Sequence, residues 1–94
     1  MTFEKADIVT SLNGRDEGKI FIIIESKEGY SYIADGKHRR IDNPKKKNRK
    51  HLKLLYKAKG PIVTKILDGD KVTNNELRRA LAEFSPTHSE KGGM

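Results

Sequence analysis

The sequence predicts a mainly β fold: a small, strongly bent five-stranded barrel followed by one or two short α-helices. Three observations predict it. Five short runs of strand composition fall within the first 59 residues, separated by turn-forming Gly, Asn and Asp. One of those runs, Ile20-Phe21-Ile22-Ile23-Ile24, is apolar at every position, as expected of a strand covered on both faces or lying in a curled sheet. After residue 60 the apolar spacing changes to a helical one, with proline at the opening and a capping box further on. The chain has 94 residues and 34% hydrophobic content, enough for one domain with a small core. It divides into residues 1–59 (barrel), 60–84 (helical extension) and 85–94 (a tail ending in Gly and Met that is expected to be disordered).

In order, residues 7–12 (DIVTSL) form a β-branched run that ends at Asn13-Gly14. Gly14 and Gly18 bracket three charged residues, Arg15, Asp16 and Glu17, in a loop that leads through Lys19 into the apolar strand. Residues 26–29 are polar enough for a turn, and residues 30–34 (YSYIA) have strand composition. Asp35-Gly36 is the strongest hairpin signal, because a type I′ turn requires positive φ at both central positions. It would return the chain through a strand at residues 37–41, with Lys37, Arg39 and Ile41 on one face and His38 and Arg40 on the other. Asn43-Pro44 then breaks regular structure, residues 45–51 (KKKNRKH) form an exposed loop, and Leu52-Lys53-Leu54 alternates as a half-buried strand does. Pro61 opens a short helix that stops near Gly69. Thr73 and Glu76 cap a second helix, lined on one face by Leu77, Ala80, Leu81 and Phe84, that ends before Pro86.

Charge is concentrated. Residues 37–59 hold eleven Lys or Arg and one acid, a net of +10, whereas the rest of the chain carries nine Lys or Arg against twelve acids, a net of −3. The overall +7 is therefore a patch. Charges this dense must be spread over a solvated surface or neutralised by a polyanion, and nucleic acid is the commonest one. Lys37, Arg39, Arg40, Lys45, Lys46, Lys47, Arg49 and Lys50 are the candidate phosphate contacts. His38 and His51 join them, since phosphate favours the imidazolium.

Tyr30 and Tyr32 lie two apart on one strand face, a spacing that lets rings stack on unpaired bases and that would equally suit core positions. Phe21 and Phe84 are expected in the core. His38, His51 and His88 lack metal-ligand spacing, and there is no cysteine, so no metal or other cofactor is expected. No Ser-His-Asp, paired-carboxylate or phosphate-loop signature is present, which argues against an enzyme and a small-molecule substrate.

The run Asp7-Ile8-Val9, the loop Gly14-Arg15-Asp16-Glu17-Gly18-Lys19 and the apolar stretch from Ile20 to Ile24 together resemble a KOW motif, the strand-loop-strand element of ribosomal proteins and certain transcription elongation factors. The similarity continues through Tyr32-Ile33-Ala34-Asp35-Gly36-Lys37 and Pro44-Lys45-Lys46-Lys47. It resembles small bacterial KOW-domain RNA-binding proteins similar to large-subunit ribosomal proteins of archaea and eukaryotes. It covers roughly residues 6–56. The resemblance implies an SH3-like barrel that binds RNA, with Arg15 and Lys19 on phosphates and Gly14 and Gly18 letting the backbone come close. Many KOW motifs have a further glycine shortly after the Gly-Lys pair. Here Ile20-Phe21 stands there, which fits the ribosomal branch better than the elongation-factor branch.

The expectation is thus a non-catalytic RNA-binding protein of the cytoplasm, associated with ribosomal RNA of the large subunit and with neighbouring ribosomal proteins. The alternative is a protein-interaction adaptor that docks through its helical region. The N-terminus lacks the pattern of a signal peptide, and the longest apolar run is too short to span a membrane.

Overall fold

The computed structural model describes residues 3–84; the tail expected at 85–94 lies outside the described residues. The elements are β1 (Asp7–Ser11), β2 (Ile20–Lys27), β3 (Tyr30–Ala34), β4 (Lys45–Asn48), a 3-10 turn (Arg49–His51), β5 (Leu52–Lys57), α1 (Pro61–Asp68) and α2 (Asn74–Ala82). The five strands form one antiparallel sheet in the order β4-β3-β2-β1-β5. Among the described residues no helix is long and apolar enough to cross a membrane.

The apolar run of β2 is buried on both faces, and two separate clusters account for it. Ile22 stands opposite Ile8 on one side and Ala34 on the other. This row is covered by Ile62 and Ile66 of α1, by Val72, and by Leu77 and Leu81 of α2. Phe21 and Ile23 point the other way, into a cluster with Val9, Ile33 and Leu52 that includes no helix residue. Val9, Phe21, Ile23 and Ile33 are nevertheless fully buried. A sheet face that hides these residues without a helix must curl around them. Register shifts in the ladders, at Ile8/Val9 and Ile23/Glu25, supply the local twist. Each of these large aliphatic or aromatic side chains contributes about 1.5–3 kcal/mol through burial.

The curl stops short of a closed barrel, since no ladder joins β4 to β5 among the described residues. The edges come close enough for a three-residue turn to connect them. Asn48 caps that turn, its side-chain oxygen accepting from the Lys50 N–H at 3.1 Å. The turn is tied to both ends of the sheet: the Arg49 N–H donates to the Gly29 carbonyl at 3.0 Å, and the Leu12 N–H to the His51 carbonyl at 2.8 Å.

The helices follow their end signals. Pro61 sits in the first turn of α1, and Gly69 ends it in the left-handed conformation at φ 77°. Thr73 and Glu76 form the complete capping box of α2. Leu77 and Leu81 are buried, with Ala80 and Phe84 packed beside them, while Asn75, Arg78, Arg79 and Glu83 remain exposed. The apolar face of the helical region is therefore occupied by the sheet.

One stretch departs from the sequence expectation. Residues 37–41 are not a strand, and the strand paired with β3 is Lys45–Asn48, inside the segment expected to be a loop. The cause is Asp35. Its carboxylate accepts the backbone N–H groups of Lys37, His38 and Arg39 at 2.9, 2.9 and 2.8 Å, winding the chain into a compact turn instead of a hairpin. The Ile41 N–H then donates to the Asn74 side chain at 2.7 Å, fastening the loop to the start of α2.

Candidate nucleic-acid interface

The loop between β1 and β2 is a set of short hydrogen-bonded turns. The Glu17 N–H donates to the Gly14 carbonyl at 3.2 Å, the Lys19 N–H to Asp16 at 2.9 Å and the Gly18 N–H back to Ser11 at 2.9 Å. Gly14 and Gly18 stand at φ 77° and 83°, where side chains are disfavoured. Crowding is not the reason for glycine here. A Cβ on Gly18 would meet nothing within 4 Å, and one on Gly14 only the Lys47 ammonium at 3.6 Å. Gly18 faces open space, and Gly14 faces the Lys47 ammonium. Arg15 and Lys19 are exposed on the same loop.

The acids of this loop have different fates. Asp16 is 5% exposed and turned inward. Its carboxylate accepts from Arg39 Nη2 at 3.0 Å and so is neutralised by a residue 23 positions away. Glu17 stays exposed.

The basic segment of β4 and the 3-10 turn meets this loop. Lys47 Nζ donates to the Asn13 carbonyl at 3.3 Å, and Asn13 Nδ2 lies 3.0 Å from His51 Nδ1. Asn13, which the sequence marks only as the end of a strand, is thus the residue that joins the two segments. Pairing along β4 directs its lysines to both faces of the sheet edge: Lys47 lies opposite Ser31 and Lys45 opposite Ile33, while Lys46 lies opposite Tyr32 on the other face. Lys46 and Lys50 are exposed, Lys45, Lys47 and His51 half-buried, and Arg49 exposed beside them. None of Lys45, Lys46, Lys47 and Lys50 has an ion-pair partner among the described residues.

Tyr30 and Tyr32 are half-buried, on the face opposite Ser31 and Ile33. Their rings meet edge to face with centroids 5.7 Å apart, and the Lys46 ammonium stands 4.2 Å over the centre of Tyr30. Such a cation over an aromatic face is worth about 0.5–1 kcal/mol at an exposed site.

The residues at 35–41 behave differently. Arg39 is engaged with Asp16, and His38 Nδ1 lies 3.3 Å from Asp35 Oδ2. Partial burial by itself would raise the Asp35 pKa. The hydrogen bonds from the Arg39, Lys37 and His38 backbone and the His38 ring outweigh it and hold the carboxyl below its usual 3.8. Lys37 and Arg40 are exposed. At the other end of the basic block, Lys57 bonds Asp7 at 2.9 Å and Glu4 at 3.1 Å. The hydrogen bond to Asp7, then that to Glu4, raises its pKa above 10.5.

The loop carrying Gly14, Arg15, Gly18 and Lys19 thus touches, through Asn13, the segment carrying Lys45, Lys46, Lys47, Arg49, Lys50 and His51, and Tyr30 and Tyr32 lie on the strand paired with β4. Lys37 and His38 lie beside α2, Arg40 is exposed, and Arg39 turns inward. Arg78, which the sequence places only on the polar face of the second helix, bonds the Gly36 carbonyl and brings a guanidinium beside that second group. Its signal is the exposed face of the capped helix. Among the described residues no group of three or more His, Asp or Glu could hold a metal. The chain matches no family model and no curated protein sequence.

Proposed function

We propose that this chain is a non-catalytic RNA-binding protein of SH3-like, KOW-type architecture, cytoplasmic and associated with the ribosome, where it binds structured ribosomal RNA of the large subunit. The observation that carries this reading is the junction of the two segments: Asn13 holds Lys47 and His51 against the glycine loop that carries the exposed Arg15 and Lys19, so cations from both segments adjoin. The inward pairing of Asp16 with Arg39 turns one of the loop's two acids away from solvent, and Glu17 is left as its exposed acid. The curled sheet, with β5 beside β1, supports the SH3-like assignment.

Ammonium and guanidinium groups outnumber the two candidate stacking rings, which favours a structured RNA read through its backbone over a single strand read base by base. The test is binding of labelled ribosomal-RNA fragments across a salt series. With about six phosphate contacts, log K falls against log salt with a slope of roughly −4 to −5. Weak binding insensitive to salt would overturn the proposal.

A further inference from the structure

A second cationic feature lies away from the β4 edge. A cleft of about 490 Å³ opens between the 35–38 turn, the start of β2 and the end of α2. Lys19, Lys37, His38 and Arg78 stand around it, and Ile20, Leu81 and Ala82 form its floor. Asp35 is the acid among the lining residues, and its oxygens are already engaged by three backbone N–H groups and the His38 ring. The cleft thus presents an apolar floor beneath a rim whose charge is positive.

Its location adds a second argument. Lys19 ends the same glycine loop that touches Lys47 through Asn13, so the loop runs from the β4 edge to the mouth of this cleft. α2 closes the far wall. Arg78 is anchored on the Gly36 carbonyl, and a Cβ at Gly36 would press on the Asn74 carbonyl and the Arg78 side chain, so the turn and the helix fit each other closely.

We infer that this cleft is a binding site for a single nucleotide, with the base lying on Ile20, Leu81 and Ala82 and the phosphate held by Lys19 and Lys37 at the rim. A flat base has an apolar face matched by the floor, and its phosphate supplies the anion that the rim lacks. Arg78 offers a planar guanidinium that stacks on a base or forks onto a phosphate. This deepens the RNA-binding reading and rests on it for its biological ligand: an RNA lying along β4 and the glycine loop places one unpaired nucleotide here. It also gives α2 a part in recognition.

The experiment is an amide NMR titration of the full chain with adenosine 5′-monophosphate, beside one with inorganic phosphate, together with RNA binding by Lys37→Glu and Ala82→Glu. Both substitutions fall on exposed positions and leave the core untouched. The nucleotide is expected to shift the amides of Ile20, Lys37, His38 and Ala82, and phosphate alone to leave Ile20 and Ala82 in place. Each variant is expected to weaken RNA binding about threefold to tenfold, and Lys37→Glu to reduce the salt slope by about 1. Unmoved cleft amides, or a pattern that phosphate alone reproduces, would overturn the inference. The two readings fail separately: RNA binding without cleft shifts removes the cleft and keeps the β4 surface, whereas cleft shifts without RNA binding remove the RNA reading and leave a nucleotide site.

Discussion

Residues 37–41 and residues 45–51 are both dense in Lys, Arg and His, and the fold treats them in opposite ways. The first segment is turned upon the protein itself. Asp35 gathers its backbone, Asp16 takes Arg39, and Asn74 takes the Ile41 N–H. The second segment is stretched along a sheet edge, where its lysines have no ion-pair partner among the described residues and one of them, Lys47, is steered by a carbonyl onto the glycine loop. The difference teaches that which cations of a basic run are tied down depends on acids elsewhere in the fold. Asp16 and Asp35 decide this, and neither belongs to the basic block.

The comparison can be broken from either side. The largest effect is expected at the turn that anchors the first segment. Gly36 stands at φ 81°, and an added Cβ would collide with the Asn74 backbone. Gly36→Ala is therefore expected to cost about 3 kcal/mol or more of stability in a denaturant titration. Loss of the ion pair comes next. Arg39→Ala leaves the Asp16 carboxylate buried without its partner and is expected to cost about 2–3 kcal/mol, while the folded protein binds RNA nearly as before. If Arg39→Ala instead abolished RNA affinity in a fully folded protein, the division between the two segments would be wrong.

Smaller effects belong to the helical side. Thr73→Ala removes the cap of α2 and is expected to cost about 1 kcal/mol, read as a lower Tm. Glu76 is held at a pKa of about 2, below its usual 4.5, first by the Lys65 ammonium and then by the Thr73 N–H. A carboxylate whose pKa is depressed on folding stabilises the native state above its unfolded value, and that contribution is lost as pH falls through the folded one. Asp35 shifts in the same direction. Tm is accordingly expected to fall as pH drops from about 4.5 toward 2, and Glu76→Gln to flatten that fall. An unchanged acid profile in the variant would remove Glu76 from this account.

Much of the fold is legible in the sequence because its signals are local. The unbroken apolar run of β2 announces burial on both faces, and Pro61, Gly69, Thr73 and Glu76 mark helix ends through their own chemistry. The misread stretch is one where two local rules compete. Asp35-Gly36 suits a hairpin turn, but the same carboxylate can gather successive N–H groups, and the close fit of α2 over Gly36 accompanies the second outcome. β4 is illegible for another reason: Lys-Lys-Lys-Asn has no strand pattern of its own, and its pairing with β3 makes it a strand. Lysines suit such an exposed edge, where they discourage unwanted pairing. The basic patch was visible as composition. Its junction with the glycine loop through Asn13, and the inward turn of Arg39, depend on contacts between residues 23 to 38 positions apart, which no local spacing encodes.

The most direct test of the β4 surface is sedimentation of the protein with ribosomal subunits from its own cells, in a salt series, beside a Lys45/Lys46/Lys47→Glu variant. The expected result is that the wild type travels with the large subunit at low salt and leaves it as salt rises. The variant is expected to bind on the order of a hundredfold more weakly and to stay at the top of the gradient. A wild type that stays at the top at low salt, or a folded variant that travels with the subunit as the wild type does, would contradict it.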